Sequence, residues 1–367
     1  MDYSKKNSIY SKRSSGFFFS PFGVSIDPME HLILINFEKD PDELYNTFEL
    51  QQAFNNSGKK RFLVIAYRND GATDVFHQAH FPFASQANIL NDADFIERPL
   101  ENVKFEINED LLNVFFSFLD KNGRNIKVNV LEERRKNNKP FFLLAPVGVI
   151  SKNPISLPVY SLYGMSFTKQ KYTSIEIEID NKKHRPDTFP LPIDCSKNYF
   201  TRYSADTFNV DWNKQYNGPL FPVKPIKNEA EANGITYELF DNDGHYEIKR
   251  MVSIKNNHKI IFELSPPMPD IACLSDTVQF NGHFIITTDN SSGNIQGEYS
   301  LNKMENEIDM QILPNHGWVP NEKRWILKLL FIIVKVFREW PKTYVWNAKI
   351  RMDSEGPPIM DSNWGRI

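Results

Sequence analysis

Cysteine is nearly missing from this chain. Its two copies among 367 residues, Cys195 and Cys273, lie too far apart in sequence for a short-spaced zinc clamp or a disulfide framework. Both are expected to be free and buried, as in a reducing compartment. Glycine is also sparse, at 16, and none of it builds a phosphate-cradling loop ahead of a helix or a Gly-x-Ser-x-Gly elbow. That argues against kinase, nucleotide-binding and α/β-hydrolase chemistry. An excess of one charge is absent too: 43 Lys and Arg stand against 46 Asp and Glu, a formal net charge of -3. So balanced a field leaves no electrostatic footprint for nucleic acid, and no nucleic-acid partner is expected. No apolar run comfortably reaches the about 20 residues that span a bilayer. The stretch from Phe17 to Phe22 is too short for a secretory leader and is broken by Pro21. Residues 1–15 are therefore expected to be a flexible tail, and the chain cytoplasmic.

What the chain has in quantity is aromatic bulk, with 29 Phe and 14 Tyr in a 41% hydrophobic composition. Such residues favour strands and apolar pockets. The length exceeds that of most single cores, so two units are expected. Strict alternation recurs at Val103, Phe105, Ile107, at Ile126, Val128, Val130, at Ile175, Ile177, Ile179 and at Ile308, Met310, Ile312. It predicts antiparallel strands with one face buried and one wet. Arg61 to Arg68, the turn Asn69-Asp70-Gly71 and a return strand from Val75 read as a hairpin. Asp40 followed by Pro41 and Glu43 has the form of a helix start, which predicts a helix over about 41–54 with Leu44 and Phe48 inward. Prolines 186, 190, 192, 219, 222 and 225 mark residues 154–233 as an irregular connection or lid. It would separate an N-terminal β-unit, 16–153, from a C-terminal one, 234–367.

The run Phe116 to Gly123 is echoed by Tyr237 to Gly244, each ending in an Asp- and Gly-containing turn, which suggests an internal duplication. From Gly234 the pattern is a meander of strands, then a helix near 321–339, then a closing strand from Thr343 to Met352. That order resembles the architecture of a lipocalin-like barrel, in which closure removes the sheet edges. The Gly-x-Trp of true lipocalins is missing at the start of the unit, and Gly317-Trp318 lacks its spacing. A β-sandwich with the same strands stays open. The expected fold is thus mainly β, two tandem barrel or sandwich units with two helices.

Between Trp325 and Phe337 only Lys328 and Lys335 interrupt an apolar run. It reads as a helix buried against the barrel, as a peripheral membrane contact, or as an oligomer contact. Tyr199, Arg202 and Tyr203 place a guanidinium between phenols, with Asp206 and Asp211 close enough in sequence to orient it. His316 and Trp318 lie in what reads as a loop ahead of the helix, where a histidine suits proton transfer near neutrality. His77 and His80, three apart on a strand, would face opposite ways, and no metal site or cofactor is expected. The expected function is binding of a hydrophobic, lipid-like small molecule in a β-barrel cavity, with Tyr199, Arg202, Tyr203, His316 and Trp318 meeting it. One alternative is a cofactor-independent isomerase, hydratase or cyclase using His316, Asp206 and Tyr203. The other is a structural, oligomeric protein.

Overall fold

Alternation wins almost everywhere: 62% of the computed structural model is strand and 5% helix, so the protein is mainly β. The structure describes residues 9–27, 29–55, 57–82, 94–134, 138–145, 154–193, 195–255, 257–289, 291–352 and 356–367. Two compact units are present. An N-terminal unit comprises Asp27–Leu143 with Tyr160–Asn209, and a C-terminal unit comprises Met1–Ile26, Leu144–Val159 and Val210–Ile367. Among the described residues no helix is long and apolar enough to cross a membrane.

The N-terminal unit stacks two sheets. One runs in the order Lys182–His184, Thr173–Ile179, Asn125–Glu133, Leu111–Leu119, Glu101–Ile107, all antiparallel. Its strands bury every second residue, Phe116, Ile126, Val128, Val130 and Ile177 among them. The facing sheet contains Asn198–Ser204, Met29–Asn36, Tyr45–Phe54, Lys60–Arg68 and Thr73–His77 in that order. Ile33, Ile35, Phe48, Leu50, Val64 and Phe76 from this sheet close one core with the first. Ala53, Leu63, Ile65 and Val75 pack on the opposite side of the same strands.

The helix expected over 41–54 is instead the strand Tyr45–Phe54, paired on both sides along its length. A spacing of four between Leu44 and Phe48 suits a strand face as well as a helix face, and two neighbouring strands satisfy a backbone that local propensity would have coiled. The helix-start signature serves other ends. The Asp40 carboxylate accepts the Arg185 backbone N–H at 2.8 Å, and that of Asp42 accepts the Leu44 N–H at 3.1 Å.

The curled antiparallel sheets of the protein include a half-barrel, and the C-terminal unit contains a ten-stranded antiparallel sheet. From edge to edge its order is Tyr216–Pro219, Ile359–Arg366, Tyr344–Arg351, Glu307–Val319, Asn294–Met304, Thr277–Thr287, His258–Met268, His245–Lys255, Ile235–Asn242, Glu229–Ala232. The expected strands are present, with Ile359–Arg366 added beyond the one expected to close the unit. Trp212 and Phe22, from outside the meander, pack against it: Trp212 lies 4.6 Å from Phe262, 6.0 Å from Phe284 and 5.9 Å from Trp364, ring centre to ring centre. Phe22 reaches Phe262 at 5.5 Å and Trp346 at 6.2 Å.

Residues 154–233, expected as an irregular connection, carry eight strands among the described residues, from Leu157–Lys169 to Glu229–Ala232. Their prolines sit between strands or at strand ends, as Pro219 and Pro222 do, where no ladder N–H is needed. Part of the expected flexible tail is also tied down. Ser11 N–H donates to Cys273 O at 3.0 Å and Ser275 N–H to Ile9 O at 2.8 Å. The echoed hairpins differ in their turns. Leu119 pairs Asn125 around a loop organised by the Asp120 carboxylate, whereas Asn242 pairs His245 across Asp243-Gly244, both at positive φ. Beyond them Asn125–Glu133 takes Thr173–Ile179 as its other neighbour, while His245–Lys255 takes the strand that follows it. Among the described residues the likeness is confined to the hairpin.

Candidate functional site

In the C-terminal unit, residues 20–25 are tied to the turn that follows the strand Asp206–Trp212. Gly23 N–H donates to Asn213 Oδ1 and Asn213 N–H donates to Gly23 O, each at 2.8 Å. Asn213 takes the left-handed backbone (φ 50°) that asparagine tolerates, and its carbonyl accepts the Trp364 indole N–H at 2.6 Å. Phe18–Phe19 pairs with Pro222–Val223, and Tyr216–Pro219 pairs with Ile359–Arg366. A cleft of about 570 Å³ opens between these segments, within the size range of small-molecule sites. Phe22, Leu220, Phe221, Val223, Tyr237 and Met360 form its apolar wall, and Asp211, Asn213 and Lys214 form a polar one.

The polar wall is built, not incidental. The buried Asp211 carboxylate accepts the Ser156 hydroxyl at 2.7 Å and pairs with the Lys214 ammonium at 3.0 Å. Lys214 keeps part of its side chain in solvent. Asn213 is 2% exposed, and its Oδ1 is committed to Gly23, which settles the orientation of the amide. Among the described residues its Nδ2 has no acceptor, a condition that carries a desolvation penalty. Burial raises the Tyr237 phenol, and a hydrogen bond with Ser20 opposes that shift. The ionisable groups of this wall neutralise each other, so the arrangement suits holding an acceptor-bearing molecule better than moving a proton.

Apart from Asp211, which lines the cleft, the residues expected from the sequence lie elsewhere. Tyr203 is fully buried in the N-terminal unit, its hydroxyl donating to Glu132 Oε2 at 3.0 Å. Arg202 is held by Asn36 Oδ1 at 2.6 Å and by the Phe200 carbonyl at 3.1 Å, and its cation sits 4.9 Å from the Phe200 ring. Burial pulls its pKa down to about 10 against the opposing charge of Glu49, where Asp206 and Asp211 were expected to orient it. The Glu49 carboxyl is itself pushed up by burial, against hydrogen bonds from Gln51 at 2.6 Å and Tyr67 at 2.7 Å. Tyr199 is half-buried and Asp206 exposed.

In the C-terminal unit, His316 and Trp318 belong to the strand Glu307–Val319, not to a loop. The exposed His316 ring is 3.8 Å from Glu298. Trp318 donates its indole N–H to Ser292 O at 2.9 Å and packs 4.9 Å from Phe331 and 5.8 Å from Phe337. It anchors the helical segment. None of these residues lines the cleft. Sequence reasoning missed Asn213, Lys214 and Phe221. The available signal was Pro219-Leu220-Phe221-Pro222-Val223, an apolar run bounded by prolines that cannot be a central strand.

The expected single helix over 321–339 is two, Trp325–Ile333 and Lys335–Glu339, separated by the extended Val334. Ile326, Leu327 and Phe331 are buried, while Trp325, Leu329, Ile332 and Ile333 are exposed. Of the cysteines, Cys273 is buried and Cys195, contrary to expectation, exposed; neither is in a disulfide. Comparison of the chain with protein-family models, with curated proteins and with solved structures returns no match.

Proposed function

We propose that this protein binds an apolar or amphiphilic small molecule in the cleft of its C-terminal unit, with the molecule's polar end an acceptor such as a carboxylate. The observation that carries the reading is the pairing of an apolar wall, Phe22, Leu220 and Phe221, with a polar one in which Asn213 lies beside the Lys214 ammonium. A ligand's carboxylate would meet the Lys214 ammonium while its alkyl part covers Phe221 and Leu220. The expected lipid-like ligand is kept, and its place moves from a closed barrel and the Arg202 and His316 neighbourhoods to this cleft. The test is titration of the full chain with a medium-chain alkyl carboxylate and with the matching alcohol. Saturable binding with preference for the carboxylate, lost on Lys214→Gln in a folded variant, supports the reading. Absence of saturable binding by either probe refutes it.

A second reading concerns the helical segment. Trp325, Leu329, Ile332 and Ile333 fall at spacings of four, seven and eight and are 73%, 37%, 65% and 64% exposed, an apolar stripe left uncovered. Lys328 beside it and Lys335 and Arg338 beyond it are exposed and basic. Interfacial helices use this combination to lie in an anionic bilayer surface, which is the occupant we propose. Co-sedimentation with vesicles of mixed zwitterionic and anionic lipid, abolished by Ile332→Asp, supports peripheral attachment. Equal sedimentation of the wild type and the variant sinks it.

A further inference from the structure

Away from the cleft, the C-terminal unit brings together three residues that no sequence spacing announces. His245 opens the strand His245–Lys255 directly after the tight turn Asp243-Gly244. Asp270 and Cys273 sit in the turn between the strands His258–Met268 and Thr277–Thr287, where Cys273 N–H donates to Asp270 O at 3.1 Å and Ala272 N–H to Asp270 Oδ1 at 3.2 Å. One imidazole nitrogen, one carboxylate oxygen and the thiol sulfur all lie within 4.8 Å of one another.

An outer set of contacts fixes this trio. The Tyr10 ring stacks on the His245 imidazole at 3.9 Å and 18°. Its hydroxyl donates to Glu247 Oε1 at 2.7 Å and accepts the Asp270 backbone N–H at 3.2 Å. Asn242 Nδ2 also donates to Glu247 Oε1 at 2.7 Å. Ser11 and Lys12 hold the same strip of chain over the turn by donating to Cys273 O at 3.0 and 3.3 Å. The Cys273 thiol and the Asp270 carboxyl are hydrogen-bonded to each other, yet among the described residues Asp270 Oδ2, on a side chain 2% exposed, and His245 Nδ1 have no hydrogen-bond partner. Native interiors seldom leave a buried carboxylate oxygen and a ring nitrogen unsatisfied. A cation between them would satisfy both.

We propose that His245, Asp270 and Cys273 form a zinc site in the C-terminal unit. The donor set of imidazole nitrogen, carboxylate oxygen and thiolate sulfur selects a borderline-soft dication over magnesium or calcium, which take oxygen alone. Binding forms one bond each to nitrogen, oxygen and sulfur and releases the Cys273 thiol proton to solvent. Tyr10, through its contacts with His245, Asp270 and Glu247, supplies the outer shell that orients such ligands. Because the site ties the N-terminal strip to two hairpin ends of the meander, the metal stabilises the unit and is independent of ligand binding in the cleft.

The experiment strips the full chain with a chelator, confirms its fold by circular dichroism, and reloads it with zinc or with cobalt as a spectroscopic stand-in. The expected result is one zinc per chain by elemental analysis, a raised melting temperature, and a thiolate-to-cobalt charge-transfer band. That band persists in Cys195→Ser and disappears in Cys273→Ser. His245→Gln weakens zinc binding by more than the about 10–100-fold that losing an outer-shell partner costs. Should Cys273→Ser fail to fold, the His245→Gln affinity and the wild-type cobalt spectrum decide the matter. Failure of the wild type to retain zinc at micromolar free metal, a spectrum without the thiolate band, or unchanged affinity in His245→Gln overturns the proposal.

Discussion

Replacing Phe221 by alanine separates the cleft from the fold. Phe221 is 67% exposed, so it contributes only about a third of its apolar surface to the folded chain. Fully burying a phenylalanine is worth about 1.5–3 kcal/mol, and that third corresponds to roughly 0.5–1 kcal/mol of stability. A ligand that covers the remainder would gain roughly 1–2 kcal/mol from this one ring, so Phe221→Ala should weaken Kd by about 5–30-fold. Titration with the alkyl carboxylate, followed by tryptophan emission because Trp212 adjoins Asn213, reads the affinity. Urea unfolding of the same variant reads the stability. An unchanged Kd in a protein of unchanged midpoint refutes the placement of the ligand against Phe221. A large loss of stability refutes the claim that the ring lies mostly outside the core.

Trp212→Ala is expected to do the reverse, removing the ring shared by Phe22, Phe262, Phe284 and Trp364. It should cost about 3–5 kcal/mol in urea unfolding, and a loss below 1 kcal/mol would show the cluster to be loosely packed. Gly297→Ala would put a Cβ 2.2 Å from the Leu313 carbonyl and 2.6 Å from the Phe284 ring, at the register shift between Asn294–Met304 and Glu307–Val319. A loss of about 1–3 kcal/mol is expected, since a backbone atom cannot step aside as a flexible side chain can. Burial pushes the Asp42 carboxyl up, but the Leu44 N–H and the Arg124 guanidinium at 2.8 Å outweigh it and hold the group below the ordinary carboxylate range. Its contribution to stability is therefore full above that range and disappears as pH falls through the depressed value. Asp42→Asn should lower stability at neutral pH and flatten the acid limb of the stability curve, and parallel curves for the two proteins would contradict this.

How much of the protein the sequence determined depends on the range of the interactions concerned. Alternation at Ile126, Val128 and Val130, or at Ile308, Met310 and Ile312, is a local consequence of a strand with one wet face. It was legible without any partner strand being known. So were the two-residue turn at Asp243-Gly244 and the apolar helical run after Trp325, because dihedral preference and helical period act over a few residues. Tyr45–Phe54 was not legible. Its period of four is shared by both structures, and only pairing with Met29–Asn36 and Lys60–Arg68 chose the strand. The same limit applies to the sites. Arg202, Tyr203 and His316 looked functional because of their near neighbours in sequence, yet Asn36, Glu132 and Glu298, far away along the chain or on another strand, are the side chains that engage them. Asn213 and the trio His245, Asp270 and Cys273 are set by groups far away along the chain, Gly23 and Tyr10 among them. Whether a donor is left without an acceptor, or three ligand atoms converge, is a property of the packed interior and has no periodicity by which a sequence could announce it.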